Sequence, residues 1–293
     1  MSGARTPRPP VLALIGDRYH NPDYIRIHLW RLAREAGVEL EYTANYEWFA
    51  TRQSCEELLS GRSAFIVFRD GLIFPDGYVG PEAFSYYSTF LMNSPPNGPP
   101  ATWVTEAFGE TVEQFVAGGG GLFSMHNNLS VSTYSSAYRR VTRGVYDGHP
   151  PERNWRVLAV APDHELLSGV SDFVLTDEQH FPVYDGDASA VLLRGKNTDG
   201  LTFTSDSGAT RAGTGSVVAW SHEHGSGRVV VSTIGHNLDA LWKPSAFRFQ
   251  LNALRWLLGG ANGATTTTTT TSSSSSSSTS SGTSSGGSQD EEG

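Results

Sequence analysis

The feature that most limits what this chain can fold into is the exchange of short apolar runs with helical stripes along residues 11–126. The runs 11–16, 38–43, 63–70 and 121–126 have the length of strands. Between the first two, residues 23–37 place Ile25, Leu29, Leu32 and Ala33 or Ala36 at helical spacing and stop on Gly37. A short helix is expected around 55–60 and a longer one over 103–119. Strand, helix and strand at this spacing imply right-handed crossovers and a parallel sheet. The unbroken apolar run 63–70 suits a strand covered on both faces. The expected fold is α/β, a doubly wound, mostly parallel sheet with a strand-rich second half. That half carries runs at 156–162, 171–181, 189–195, 215–225 and 227–237, the last two joined by a hairpin, and then a closing helix.

Sheets of this kind bind ligands outside the carboxyl ends of their strands. His126 stands at such an end, as do His20 after the first run and Asp70 after the third. The run ending on His126 begins from the glycines 118–121. Either that turn needs room, or something binds where the strand stops and the glycines let backbone and ligand approach closely.

Three stretches are expected: an N-terminal extension (1–10), one α/β domain (11–260) and a tail (264–293). The tail is almost all Thr, Ser and Gly, with no apolar side chains to offset the entropy of ordering, so disorder is expected there. A Pro-, Gly- and aromatic-rich loop at 71–101 holds Phe84, Tyr86, Tyr87 and Phe90, suited to stacking on a ligand ring or to packing as a lid.

Charge and cysteine usage remove several function classes. The chain of 293 residues has net charge −9, and Asp290, Glu291 and Glu292 in the tail leave −9 − (−3) = −6 on the body. The basic segment 138–143 is too short to make a basic face, so no nucleic-acid partner is expected. No run approaches the roughly 20 apolar residues of a membrane span, and 11–16 is too short for a signal sequence. A cytoplasmic, soluble protein with no membrane partner is the expectation. The single cysteine, Cys55, excludes an internal disulfide and a cysteine-based zinc knuckle, and on a helix it reads as an inert, half-buried thiol.

The polar residues cluster late in the chain. Alternation along a strand puts Val218, Trp220, His222 and His224 on one face. It puts Thr176, Glu178 and His180 on one face and Asp177 on the other. A glycosidase-like carboxylate couple would therefore recruit its second member from Asp17, Asp70 or Asp163. Of nine histidines, His20, His126, His222, His224 and His236 fall where the sheet exposes its rim. With Glu178 they supply the ligand set of a divalent metal site with open positions, although no HExxH pattern is present. Imidazole acting as general base or sugar-hydroxyl partner needs no metal.

Three separated motifs resemble the ThuA-like family, named for trehalose utilisation, whose fold is similar to the class I glutamine amidotransferases and so flavodoxin-like. They are "FVAGGGGLFSMHNN", "DHELLSGVSDFVLTDEQHF" with His164, Phe173, Asp177 and Glu178, and "VVAWSHEHGSGRVVVSTIGHN" with Trp220, Gly225, Gly227, Arg228 and His236. Glu165, Ser226 and Val218 depart from the family's usual proline, lysine and proline. The resemblance implies carbohydrate processing, of trehalose-like disaccharides or their 3-keto glycosides, by a glycoside hydrolase or lyase. Glutamine amidotransfer is not expected, because His126 stands where the amidotransferases carry a nucleophilic cysteine. His126 and Glu178 are then the catalytic candidates, and His20, Asn127 and His222 the substrate-binding ones. His126 and His236 are candidate ligands of a divalent metal such as zinc. Arg228 and Trp220 read as structural. A small-molecule sugar is the expected partner and a homo-oligomer the candidate assembly. The alternative is a non-catalytic sugar-binding or assembly domain that retains the fold.

Overall fold

Each apolar run of the first half becomes a strand of one sheet in this computed structural model, which describes residues 9–74, 98–212 and 215–260. The chain runs through β1 (Val11–Ile15), α1 (Pro22–Ala36), β2 (Leu40–Thr43), α2 (Arg52–Leu59) and β3 (Ala64–Phe68). A small ribbon of β4 (Leu72–Ile73) and β5 (Ala101–Thr102) precedes α3 (Glu106–Ala117) and β6 (Gly121–Met125). Then come α4 (Ser136–Thr142), β7 (Gly144–Val145), β8 (Arg153–Ala159), β9 (Phe173–Asp177) and β10 (Val183–Tyr184). The last part holds β11 (Val191–Asn197), β12 (Thr202–Thr204), β13 (Thr210–Ala212), β14 (Ser216–His224), β15 (Gly227–Ser232), α5 (Leu238–Trp242) and α6 (Pro244–Gly260). The N-terminal residues 1–8, the tail 264–293 and residues 75–97, with Phe84, Tyr86, Tyr87 and Phe90, lie outside the described residues.

Nine strands form the main sheet in the order β2-β1-β3-β6-β15-β14-β11-β8-β9. From β2 to β15 every neighbour is parallel. From β15 to β9 every neighbour is antiparallel. The sheet is therefore mixed: a parallel half made by helical crossovers and an antiparallel half made by the strand-rich second part of the chain.

Alternation along β1 divides the interior into two cores. Val11, Ala13 and Ile15 pack with Ile25, Leu29 and Leu32 of α1 and with Phe249 and Leu254 of α6. Leu12 and Leu14 point the other way, into a core with Phe49, Cys55 and Phe108. Helix α1 begins where the sequence signals it: Asn21 Oδ1 accepts from Asp23 N at 2.7 Å, Pro22 opens the first turn, and Gly37 closes it at φ 70°. Cys55 is fully buried, and burial pushes its thiol up to about 12, which leaves no thiolate for chemistry. Among the described residues no helix is long and apolar enough to cross a membrane.

The glycines before β6 answer to packing. Gly119 adopts φ 112°, and a Cβ on Gly121 would lie 2.9 Å from Leu257 Cβ of α6. Facing them, a Cβ on Gly227 would lie 2.0 Å from the Val116 carbonyl oxygen. These close approaches occur where β6 starts, five residues before His126. The room is for the turn and for helix packing, not for a ligand at the far end.

Candidate functional site

Strand direction decides what reaches the rim. The strands β1, β3, β6 and β15 are parallel, with Ile15 opposite Phe68, Val67 opposite Ser124 and Met125 opposite Ser232, so their carboxyl ends lie together. Asp17 and His20 follow β1, Asp70 follows β3, His126 and Asn127 follow β6, and His236 follows β15. Four reversals separate β15 from β9, so β9 points the same way and delivers Glu178 and His180 to the same rim. A single reversal separates β15 from β14. His222 is paired with Val229 near the start of β15 and so lies toward the opposite edge.

His222 is accordingly not part of the cluster. Its Nε2–H donates to the Val141 carbonyl at 2.9 Å, and burial lowers its pKa to about 4. The expectation that it binds substrate assumed that every strand end lies at the ligand rim, which fails for an antiparallel strand. Strand β9 is also shorter than the run 171–181. It ends at Asp177, and Glu178 and His180 leave it as loop residues. Asp177 stays below, accepting from Gly235 N and His236 N at 2.9 Å each, and so fixes the loop that carries His236. A Cβ on Gly235 would lie 2.9 Å from His126 Cβ, and only glycine lets that loop come so close.

The centre of the site is one oxygen. Glu178 Oε2 lies 3.2 Å from His236 Nδ1, 3.4 Å from His180 Nε2 and 3.5 Å from Nε2 of both His126 and His149. His20 Nε2 is 3.3 Å from His236 Nδ1. Hydrogen bonds behind these rings fix which nitrogen faces inward. A carbonyl only accepts, so His126 Nδ1 donates to Thr233 O at 2.9 Å and Nε2 is the nitrogen turned toward Glu178. His149 Nδ1 does the same to Pro150 O at 2.9 Å. His20 Nδ1 donates to Asp17 Oδ1 at 2.7 Å. Asn127 Nδ2 also lies 2.9 Å from His20 Nδ1, but both are donors there, and the amide's partner is Asp17 Oδ2 at 2.6 Å. His126 is itself shaped by the turn: it is a non-glycine residue at φ 51°, where the chain leaves β6 for a 3-10 segment over His126–Thr133.

These inward nitrogens have the spacing of a cation's ligands. A Zn–N bond of about 2.0–2.1 Å and tetrahedral angles place neighbouring ligand atoms about 3.4 Å apart. The donor atoms of His20, His126, Glu178 and His236 all lie within 4.8 Å of one another. Buried His126 Nε2 has no hydrogen-bond partner among the described residues. Asp17 behind His20 and the Thr233 carbonyl behind His126 are the outer partners that metal-binding imidazoles ordinarily keep. The residues present therefore fit a divalent cation.

Charge is arranged to match. Burial would raise the Glu178 carboxyl, but His126, His180 and His236 outweigh it and hold the group far below the usual carboxylate range. Burial alone would lower His236, and Glu178 more than offsets it, leaving this imidazole raised. Asp17 and Asp70 are pushed apart. Burial works against the Asp17 charge, yet His20 holds it low, while burial and then the Asp17 charge raise Asp70 well above its ordinary value. Asp70 is thus the member of the pair that gives up its proton less readily.

A cavity of about 400 Å³ opens over this floor, the size of a small-molecule site. His20, Asn127, Glu178 and His236 line it, together with Asp70, Tyr146, His149 and His180. His126 lies beneath, 1% exposed. Of the candidates named from sequence, His20, His126, Asn127, Glu178 and His236 come together and His222 does not. Of the carboxylates proposed as partners, Asp70 reaches the cavity and Asp17 stands behind His20. His149, in the His149–Pro150 pair that resembles the family's histidine–proline pair, and His180, on the strand face of Glu178, were not among the candidate site residues. The Glu178–His180 spacing and the glycine before His149, at φ 95°, were the available signals.

The ThuA family, described as trehalose utilisation, matches residues 83–257. The fold is similar to that of a ThuA-like protein from Bacteroides uniformis ATCC 8492, with TM-score 0.62 and 14% identity over 90% of this chain and 96% of that one. It is also similar to a ThuA-like protein from Parabacteroides merdae ATCC 43184, with TM-score 0.55 and 13% identity over 88% and 91% of the two chains. No curated protein matches the chain. At these identities the likeness of structures speaks for the fold alone.

Proposed function

This chain belongs to the ThuA family, described as trehalose utilisation, and from that premise we propose that it is a carbohydrate-processing enzyme that cleaves trehalose-like disaccharides or their 3-keto glycosides. The observation that carries the reading is the single carboxylate oxygen of Glu178 faced by His126, His149, His180 and His236 under an open cavity. A surface that only bound sugar would not require so many imidazoles around one buried charge.

His20, His126, His236 and Glu178 hold a divalent cation such as zinc. When bound, such a cation polarises a carbonyl or hydroxyl oxygen of the substrate, or the oxygen of water. Asp17 and the Thr233 carbonyl accept from the Nδ1–H of His20 and His126 and so make Nε2 the nitrogen each ring turns inward. Asp70, on the cavity wall with its carboxyl raised by burial, gives its proton to the departing glycosidic oxygen as the C–O bond breaks, and water adds to the sugar carbon and returns a proton to the Asp70 carboxylate. Asn127 is held against Asp17 and lines the cavity, where a sugar hydroxyl is the expected partner.

The test is turnover of trehalose and of its 3-keto form by the full chain, with added Zn2+ and after chelation. Cation-dependent release of glucose or of the keto-sugar is expected. Binding of either sugar without turnover under every condition would make the protein a binding domain.

A further inference from the structure

The six polar side chains around the cavity floor are more than one cation can use. They fall into two sets, His20, His126, Glu178 and His236 in one, and His149, Glu178 and His180 in the other. Within each set all donor atoms lie within 4.8 Å of one another, and Glu178 alone belongs to both. An ion about 2.1 Å from every ligand cannot serve atoms more than about 4.2 Å apart, and the two sets do not merge even at the looser spacing.

The second set shares part of the first set's construction, with an outer partner behind His149 but none among the described residues behind His180 Nδ1. The rings of His149 and His180 stack at 4.9 Å with 19° between their planes, and both Nε2 atoms face the same Glu178 oxygen, at 3.5 and 3.4 Å. The Pro150 carbonyl holds the proton of His149 on Nδ1, so its Nε2 offers a lone pair inward. Tyr146 packs on both rings, at 6.0 and 5.3 Å, and fixes them from behind. His126 and His180 are neighbours at 4.4 Å between ring centroids, which places the two sets side by side. His149, His180, His20 and His236 all line the one cavity.

We propose that Glu178 bridges two divalent cations, one held by His20, His126 and His236 and a second by His149 and His180. The second position has two protein imidazoles and a shared carboxylate, which leaves several coordination sites open to water or to oxygens of the ligand in the cavity. Ions about 3.5–4 Å apart can clamp two oxygens of one substrate. A sugar with adjacent carbonyl and hydroxyl oxygens is the ligand class that suits such a pair. The inference rests on the carbohydrate reading only for that ligand; the cation count stands without it.

The experiment is the cation content of the cation-free full chain after equilibration with Zn2+ and removal of excess, read by elemental analysis. Two equivalents per chain are expected. His149→Ala, at a partly exposed position, should hold one, and His149→Asp, which restores an oxygen donor, should return toward two. Loading with Mn2+ gives a second readout: the parent should give a spin-coupled spectrum and His149→Ala the signal of an isolated ion. Saturation of the parent at one equivalent or none, or undiminished uptake by a folded His149→Ala, overturns the inference. Two equivalents without sugar turnover would sustain it while removing the carbohydrate reading. One equivalent with cation-dependent turnover would do the reverse.

Discussion

His236 and His222 each stand at or just beyond the end of an apolar strand, in neighbouring strands of one hairpin, yet they do opposite things. His236 follows β15, which is parallel to β6, and faces Glu178 over a cavity. His222 lies two residues before the end of β14, which is antiparallel to β15, and gives its proton to a helix carbonyl inside the fold. Residue type and spacing are nearly the same; strand direction is not. At the carboxyl edge of the parallel half, backbone carbonyls and acids tie down the outer nitrogens and leave the inner ones open. Toward the other edge, glycines and close helix contacts fill the space.

The contrast is sharpest at Glu178. Glu178→Gln removes the charge shared by the imidazoles and keeps the shape. A fall in kcat/KM of about 10³-fold is expected with loss of bound cation, in the middle of what one such group contributes. A folded Glu178→Gln protein that retains both cation and turnover would erase the distinction between the two edges.

Acid should act on histidines that burial keeps neutral, and His28, away from the rim, isolates that effect from the site. Burial lowers His28 to about 4 from 6.5. Because its folded pKa is the lower one, the unfolded chain binds the proton first. Stability should therefore fall as pH drops from about 6.5 to about 4 and level off below that. The shift corresponds to at most about 3 kcal/mol for His28. Urea unfolding at pH 7 and at pH 4.5 measures the loss, and His28→Leu should reduce it. An unchanged acid slope in His28→Leu would place the sensitivity elsewhere.

His236→Ala should lower kcat/KM by about 10²-fold, with part of the loss recovered at high Zn2+, since His20, His126 and Glu178 remain. Insensitivity to cation concentration would assign His236 to substrate rather than to the ion. The smallest effect is expected at the opposite edge. His222→Gln should change turnover by less than about twofold, while lowering stability by about 1 kcal/mol for the disturbed bond to Val141. A large loss of turnover at unchanged stability would restore His222 to the site.

Much of the scaffold was legible because local rules governed it. Asn21, Pro22 and Gly37 bracket α1 where they stand, and the alternation of β1 feeds two cores, as a strand between helix layers must. His126 at the end of β6 was legible for the same reason: the apolar run stops and polar residues follow. His149 and His180 were harder to see. Neither lies at a strand end, and each reaches Glu178 through a loop whose path no periodicity encodes.

The amino-acid sequence by itself determined most of the strands, the boundaries of α1 and the residue types available for chemistry, because these depend on neighbours a few positions away; that Cys55 is fully rather than half buried was decided by the core around it. Only the tertiary structure decided that His222 is excluded and His149 and His180 admitted, that Asp70 rather than Asp163 reaches the cavity, and that the glycines before β6 serve packing. Each of those outcomes depends on strand order and direction across the sheet. A side chain reaches the shared rim where its strand either ends or begins there, and which of the two holds is set by how many reversals lie between that strand and the parallel half.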